Sequence, residues 1–300
     1  MIIIKVIYYI KSNLKIIFTT YSFYACIAFV VILCFCTGIY YDNVTNSEYS
    51  IIQSLIKFDS NFKSFDTNFS SINVAIKGSG SWLTMFIPII SAFPYVPFVC
   101  DESESKAIRN EIIRSSKFSF YSSKFLTGCI SGGLAVMFGY ILFTGLVFAM
   151  FPNINTYTHE AKEIYIKMFS NTYPFVVNHG LMSALLMKYI EMFIYGTMAA
   201  VPAIFLTCIS KNKYVVMCIP FFLKYAVSQT CIKLYAKANS DFENINEYIP
   251  RITNIISPDS VLTIFESHDK AYIFIYNICL VIIAYMLYLL VYSRRLDCGE

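Results

Sequence analysis

Long apolar runs dominate the pattern of hydrophobic and polar positions in this 300-residue chain. A helix needs about 20 mostly apolar residues to cross the hydrocarbon core of a bilayer. Runs of this kind recur along the chain and are separated by shorter, more polar segments. They cover residues 21–40, 82–100, 125–151, 181–209, 214–231 and 271–292. The pattern predicts an all-α membrane protein in which residues 1–300 form a single transmembrane domain with six transmembrane helices.

Composition excludes several other classes of protein. The chain is 57% hydrophobic and 14% charged, whereas an ordinary soluble domain has about 25% charged residues. So much apolar surface cannot be enclosed in one soluble core. The net charge of +4 is small and dispersed, which excludes a nucleic-acid partner. The sequence contains neither C-x-x-C nor H-E-x-x-H, so no metal site is predicted.

Lysines and arginines predict the orientation of the chain, because short cytoplasmic loops carry an excess of them. Basic residues precede the first run, separate the second from the third and the fourth from the fifth, and follow the sixth. Residues 41–81 and 232–270 lean acidic. Both termini are therefore expected in the cytoplasm, and the segment 232–270 outside.

The N-terminal residues 1–18 combine isoleucine and tyrosine with Lys5, Lys11 and Lys15. On a helix these residues separate into an apolar and a basic side. This arrangement is typical of a helix lying in the cytoplasmic membrane interface, with lysines toward anionic headgroups. The alternative is that the segment extends the first transmembrane helix inward.

Residues 101–117 contain the most informative cytoplasmic stretch. Acidic residues come first and basic residues last, an order that complements a helix dipole. A short apolar stripe at helical spacing lies between them. We therefore predict a short amphipathic helix that docks on the membrane surface or on a partner protein; the alternative is a solvated basic loop.

The same stretch resembles a known family. An acid at Glu102, a short apolar helix, Ser115–Ser116 and then Lys124 before the third run are similar to the transmembrane subunit of a type-2 (ABC-2-like) ABC exporter. The segment around Pro250 and Pro258 resembles the short re-entrant helices that precede the sixth span in that family. The terminal basic–acidic group Arg294, Arg295 and Asp297 also fits.

This resemblance implies a function and partners. Residues 101–117 would be the coupling helix that contacts a cytoplasmic ABC ATPase. The chain has no G-x-x-x-x-G-K-[ST] motif, so ATP and Mg would be bound by that partner. A second permease subunit, identical or different, would complete the transporter, which would move an amphipathic peptide, drug or lipid-like cargo across a bacterial plasma membrane. The coupling residues would be Asp101, Glu102, Glu104, Ala107, Ile108, Arg109, Glu111, Ile112 and Arg114.

Charges and prolines inside the apolar runs are further candidates. Lys188 and Glu191 lie three residues apart in the fourth run, and Lys224 lies in the fifth. A charge at mid-membrane costs about 2.5–3.5 kcal/mol on insertion scales, so pairing is favoured, with Glu191–Lys224 the natural pair. They are interpreted either as a structural pair or surface charges, or as part of a substrate path. The second run contains kink-forming prolines, which act as a hinge or as a static bend: Pro88, Pro94 and Pro97.

Two other classes of function compete with the exporter. A membrane-embedded enzyme needs reactive side chains that converge at one depth, and no histidine lies in any apolar run. A non-transporting immunity or sensor protein that binds its ligand does not need the acid-then-basic cytoplasmic segment. Catalytic residues are therefore not predicted in this chain.

Overall fold

The computed structural model describes residues 2–42, 46–104, 116–172, 180–240, 248–265 and 270–297. These ranges are mainly α-helical, and their two strands pair antiparallel. The helices are α1 Ile2–Thr19, α2 Tyr21–Cys36, α3 Ile51–Lys57, α4 Ser60–Phe65, α5 Ser71–Lys77, α6 Ser81–Ala92, α7 Val96–Glu104, α8 Lys117–Met150, α9 His159–Thr172, α10 Met182–Leu206, α11 Lys213–Ser240, α12 Tyr248–Ile256 and α13 Lys270–Asp297. The strands are β1 Gly38–Asp42 and β2 Ser47–Ser50, and 3-10 turns cover Thr67–Phe69, Ile154–Thr156 and Pro258–Thr263.

Within the described ranges, five helical stretches are individually long and apolar enough to cross a membrane. A sixth candidate arises only if α1 and α2, which meet at a bend of 67°, count as one. The prediction of a helical protein with several membrane-length helices is confirmed. The five stretches are Trp82–Glu104, Lys117–Thr156, Met182–Leu206, Lys213–Ala238 and Lys270–Tyr292.

Three boundaries differ from the sequence-based prediction. The first apolar run leaves the helix at Cys36, because Gly38–Asp42 turns into a strand that pairs with Ser47–Ser50. The helix that contains the third apolar run begins at Lys117, eight residues before the predicted start at residue 125. The helix that contains the fifth run continues to Ser240, beyond the predicted end at residue 231. Counting apolar residues locates the part of a helix that suits a bilayer. It does not locate the polar turns that continue the helix on either side.

Contacts group the chain into two compact units. The first comprises residues 1–26, 87–136 and 193–300, and the second comprises residues 27–86 and 137–192. Several helices, α8 and α10 among them, contribute one end to each unit. Each unit has its own buried core.

Aromatic side chains fill the core of the first unit. The rings of Tyr121 and Tyr292 stack with centroids 4.2 Å apart, and Phe125 contacts the rings of Tyr285 and Tyr288. These contacts join the beginning of α8 to the end of α13. The hydroxyl groups of Ser122 and Tyr285, 2.7 Å apart, add a hydrogen bond to the same junction.

The second unit has a different aromatic core, built from Tyr40, Phe58, Phe62 and Phe69. The Tyr157 hydroxyl donates to the Lys63 carbonyl at 2.8 Å. Burial, reinforced by the nearby carboxylate of Asp66, raises the pKa of Tyr157 to about 12. The Tyr157 hydroxyl is therefore neutral and able to donate at neutral pH. The short helices α3–α5 are thus tied to the chain that follows α8.

Two adjacent glycines allow α8 to approach its neighbours closely in the first unit. A Cβ atom on Gly132 would lie 2.6 Å from the Ser91 carbonyl oxygen, and one on Gly133 would lie 2.7 Å from the Phe193 carbonyl oxygen. Side chains cannot fit at such distances, so the backbones of α6, α8 and α10 meet at these positions. Small residues at helix contacts are typical of membrane helix packing.

We expect Gly132→Ala to lower the midpoint of thermal unfolding of the purified protein in detergent. The added methyl group forces α6 and α8 apart, an overpacking cost of about 1–3 kcal/mol. Gly145→Ala on the same helix is the matched control, because a Cβ there meets nothing within 4 Å and alanine favours helix. Equal midpoints for the two variants would contradict the close approach.

Candidate functional site

The acidic end of α7 is held by two lysines from other helices. Glu102 forms an ion pair with Lys124, and the two side chains are 15% and 4% exposed. The Lys124 ammonium also lies 5.0 Å from the centre of the Phe98 ring and 5.3 Å from that of Phe120. Asp101 meets Lys213 at 3.3 Å in a more exposed pair. The end of α7 is therefore tied to the first turns of α8 and α11.

The acidic residues occupy a different helix end from the one predicted. They were expected to open a separate helix, where their charge complements the dipole. Instead, Asp101, Glu102 and Glu104 lie in the last turns of α7, where the carbonyl end of the dipole disfavours negative charge. The paired lysines offset that cost. Ser103, adjacent to these acids, donates to the Val99 carbonyl within the same helix.

The rest of the predicted coupling helix lies outside the described residues, which resume at Ser116. The coupling role of those residues stays a prediction. They are Ala107, Ile108, Arg109, Glu111, Ile112 and Arg114.

Two more ion pairs lie farther along the chain, one of them buried and the other partly exposed. In the second unit Lys188 meets Glu191 at 3.0 Å, one turn apart on α10, with side chains 4% and 0% exposed. In the first unit Lys224 of α11 meets Asp259 at 2.8 Å. The sequence paired Glu191 with Lys224; the partners seen here are Lys188 for Glu191 and Asp259 for Lys224.

Asp259 is the functional candidate that sequence reasoning missed. It lies in the 3-10 turn after Pro258, within the segment expected to re-enter the membrane. Besides Lys224, its carboxylate accepts hydrogen bonds from the Tyr195 hydroxyl at 2.6 Å and from the Ser228 hydroxyl at 3.4 Å. The feature of the sequence that could have identified Asp259 is its position as an acidic residue in a mainly apolar segment that was expected to re-enter the membrane. We call Lys224, Asp259, Tyr195 and Ser228 the Asp259 cluster.

A cavity of about 270 Å³ opens beside the Asp259 cluster. Its walls come from α6, α10, α11, α12 and α13, and most are apolar. Lys224, Tyr195 and Asn277 supply polar atoms. The Asn277 amide nitrogen donates to the Ile273 carbonyl within α13. The arrangement suits an amphipathic ligand.

No protein-family model matches this chain, and no curated protein sequence matches it.

The prolines of the second apolar run are placed where they break it. Pro88 lies inside α6, Pro94 lies in the turn between α6 and α7, and Pro97 lies in the first turn of α7. A first turn accommodates proline readily because its N–H needs no partner there. Pro94 lies in the interruption between the two helices at residues 93–95. The hinge role stays a prediction.

We expect Lys124→Met to destabilise the protein strongly. It removes one member of a buried pair and leaves the other charge in place, a change that typically costs about 3–5 kcal/mol. The double variant Lys124→Met with Glu102→Gln removes both charges and should recover much of the loss. The midpoint of thermal unfolding in detergent measures the stability of the single and the double variant.

Lys213→Met is the control for this prediction. It also removes a lysine that pairs with an acid of α7, but its side chain is 40% exposed, so water screens the pair and little stability depends on it. A Lys213→Met effect as large as that of Lys124→Met would show that burial is not the cause.

Proposed function

We propose that this chain is the membrane-spanning subunit of an ATP-driven exporter similar to the type-2 ABC exporters. The observation that carries the proposal is the ion pair between Glu102 and Lys124. In the resemblance, these are the acid that precedes the short apolar helix and the lysine that follows it. Their direct contact gives a structural reason for both charges at that spacing.

The pair suggests how force reaches the membrane helices. It joins the end of α7 to α8 on either side of residues 105–115, so a displacement of that segment moves both helices together. Buried charges resist separation because each would lose its partner in a medium of low polarity. A partner that grips the segment would therefore move α7 and α8 as one body, a rigid-body transition.

Two further features support the same proposal. The helix α1 exposes Lys5, Lys11 and Lys15 and meets α2 at a sharp bend, which suits a helix lying in the cytoplasmic interface. Before α13, the helix α12 and the turn Pro258–Thr263 form short elements around Pro250 and Pro258. Such elements suit re-entry into the outer leaflet.

The proposed assembly contains more than this chain. We assign ATP and Mg to a separate cytoplasmic ABC ATPase and place a second permease subunit, identical or different, beside this one. With α1 in the cytoplasmic interface and α2 as the first crossing, the chain would cross a bacterial plasma membrane six times, in contact with membrane lipid and with both termini inside. The cargo would be amphipathic, in keeping with the apolar cavity beside the Asp259 cluster.

A tagged copy purified from membranes of the native host tests the ATPase partner. We expect a co-purifying protein that is labelled by a photoreactive ATP analogue, while this chain is not labelled. Ile108→Asp with Ile112→Asp should abolish co-purification, because two charges replace the apolar stripe that is predicted to dock.

A matched control changes apolar residues outside that segment. Ile164→Asp with Ile166→Asp alters α9, in a segment expected on the opposite side of the membrane, and both positions are exposed. It should leave co-purification intact. Absence of any ATP-labelled protein with the unaltered chain would contradict the exporter and favour an immunity or sensor protein that binds its ligand alone.

A further inference from the structure

A larger cavity lies in the second unit, between the end of α2 and the beginning of α6. It has a volume of about 590 Å³, within the range of about 300–1,000 Å³ that is typical of ligand pockets. Its apolar lining includes Phe29, Leu33 and Phe86, and its polar lining comes from β2 and the first turn of α3. Trp82, the single tryptophan of the chain, lines it as well. We call this cavity the Trp82 cleft.

Aromatic rings from two helices line the Trp82 cleft. The rings of Phe29 on α2 and Phe86 on α6 meet edge to face, with their centroids 6.2 Å apart. Trp82 lies one turn before Phe86 on α6 and is 48% exposed. The faces of such rings attract cations, and the face of tryptophan attracts them most strongly. The cleft therefore offers an accessible surface to a positively charged ligand.

Glu48 adds a negative charge to the lining of the same cleft. Its side chain lies across Gly38 of the paired strand, where a Cβ atom would overlap the Glu48 carboxylate. The glycine therefore leaves room for the carboxylate beside the cleft. The ion pairs among the described residues do not include Glu48, so its charge is available to a ligand.

Hydrogen bonds hold the polar lining next to Glu48 in place. The Ser50 hydroxyl accepts from the Gln53 backbone N–H, and the Gln53 side-chain oxygen accepts from the Ser50 backbone N–H. This capping box fixes the start of α3 against the end of β2. Because the lining is preorganised, a ligand loses little binding free energy to ordering it.

The chemistry of the lining favours an organic cation over a metal ion. Hard metal ions need several oxygen ligands, and the part of the chain that the structure describes has no group of three acids, histidines or cysteines that could hold one. One carboxylate among aromatic rings suits an alkylammonium group, which needs a counter-charge and ring faces but no coordination shell.

The polar and aromatic residues of the cleft lie at different depths in the proposed orientation. Glu48 belongs to the segment 41–81, which is expected outside the membrane. Phe29 lies inside α2, seven residues before its end at Cys36, which corresponds to a rise of about 10 Å. A ligand that fits both parts has its charge at the outer surface and an apolar substituent that reaches into the outer leaflet.

We propose that the Trp82 cleft binds an amphipathic organic cation, with its ammonium group at Glu48 and Trp82 and its apolar substituent against Phe29 and Phe86. The placement of the cleft on the outer side rests on the orientation given under the proposed function. Binding itself needs neither an ATPase nor a second subunit. A failure to bind the cation and a failure to co-purify an ATPase are therefore separate results.

The fluorescence of Trp82 measures binding directly, because the chain has a single tryptophan. The full chain in a maltoside detergent is titrated with choline and with 3,3-dimethylbutan-1-ol, a neutral molecule of the same shape. We expect a saturable change with choline and binding of the alcohol that is about tenfold weaker, because the alcohol lacks the charge that the rings and the carboxylate attract. Hexyltrimethylammonium should bind about tenfold more tightly than tetramethylammonium, because its chain contacts the apolar lining.

Substitutions identify the group that binds the charge. Glu48→Gln should weaken choline binding about tenfold. Asp59→Asn is the matched control, because it removes an exposed acid of the same outer segment that does not line the cleft, and it should leave choline binding unchanged. Gly38→Ala should weaken binding without lowering the midpoint of thermal unfolding, because its methyl group displaces only the flexible end of the Glu48 side chain.

Cys36 gives a second measure of occupancy, since it lines the cleft and is partly exposed. In a variant that keeps Cys36 as its single cysteine, choline should slow the reaction with a thiol reagent. Glu48→Gln should remove that protection and Asp59→Asn should not.

The same titration in phosphatidylcholine nanodiscs identifies the source of the cation. Choline affinity equal to that in detergent indicates a soluble cation, whereas about tenfold weaker affinity indicates that the lipid headgroup occupies the cleft. Three results would overturn the proposal: neither a saturable fluorescence change nor protection of Cys36, equal binding of choline and the alcohol, or equal effects of Glu48→Gln and Asp59→Asn.

Discussion

Charges buried among apolar helices have to be paired, and this constraint fixes much of the architecture. Lys124, Lys188 and Lys224 are nearly inaccessible, and each meets a carboxylate. An unpaired charge at such a site costs several kcal/mol. The pairs of Lys124 and Lys224 join separate elements, so they set where α7 ends against α8 and where the Pro258–Thr263 turn lies against α11. These junctions are also the sites to which we assign function.

Close packing between helices stabilises the fold in addition to the ion pairs. Gly132 and Gly133 bring the backbones of three helices together, and the aromatic cluster around Tyr121 and Tyr292 joins α8 to α13. A helix bundle in lipid gains little from hydrophobic burial, because the lipid is equally apolar. In the proposed membrane location, contacts of this kind therefore carry the stability.

The helical architecture could be predicted because apolar runs of membrane length require helices to satisfy their backbone polar groups. The position at which α7 ends could not be predicted, because acidic residues followed by basic ones do not show where the preceding helix stops. The pairing of Asp259 with Lys224 was not predicted, because the partner of a lysine within an apolar run depends on which elements meet in three dimensions. The strand Gly38–Asp42 was not predicted, because its residues follow the first apolar run without a polar interruption.

The proposed orientation has six crossings with both termini in the cytoplasm, and side-specific labelling distinguishes it from the inverted one. Single cysteines at Asn61, Ser116, Asn155 and Asn212, all exposed positions, are introduced into a variant without the ten native cysteines. An impermeant maleimide should label positions 61 and 155 in intact cells, and positions 116 and 212 only after permeabilisation. Labelling of position 116 in intact cells would place the acidic end of α7 outside and contradict the account.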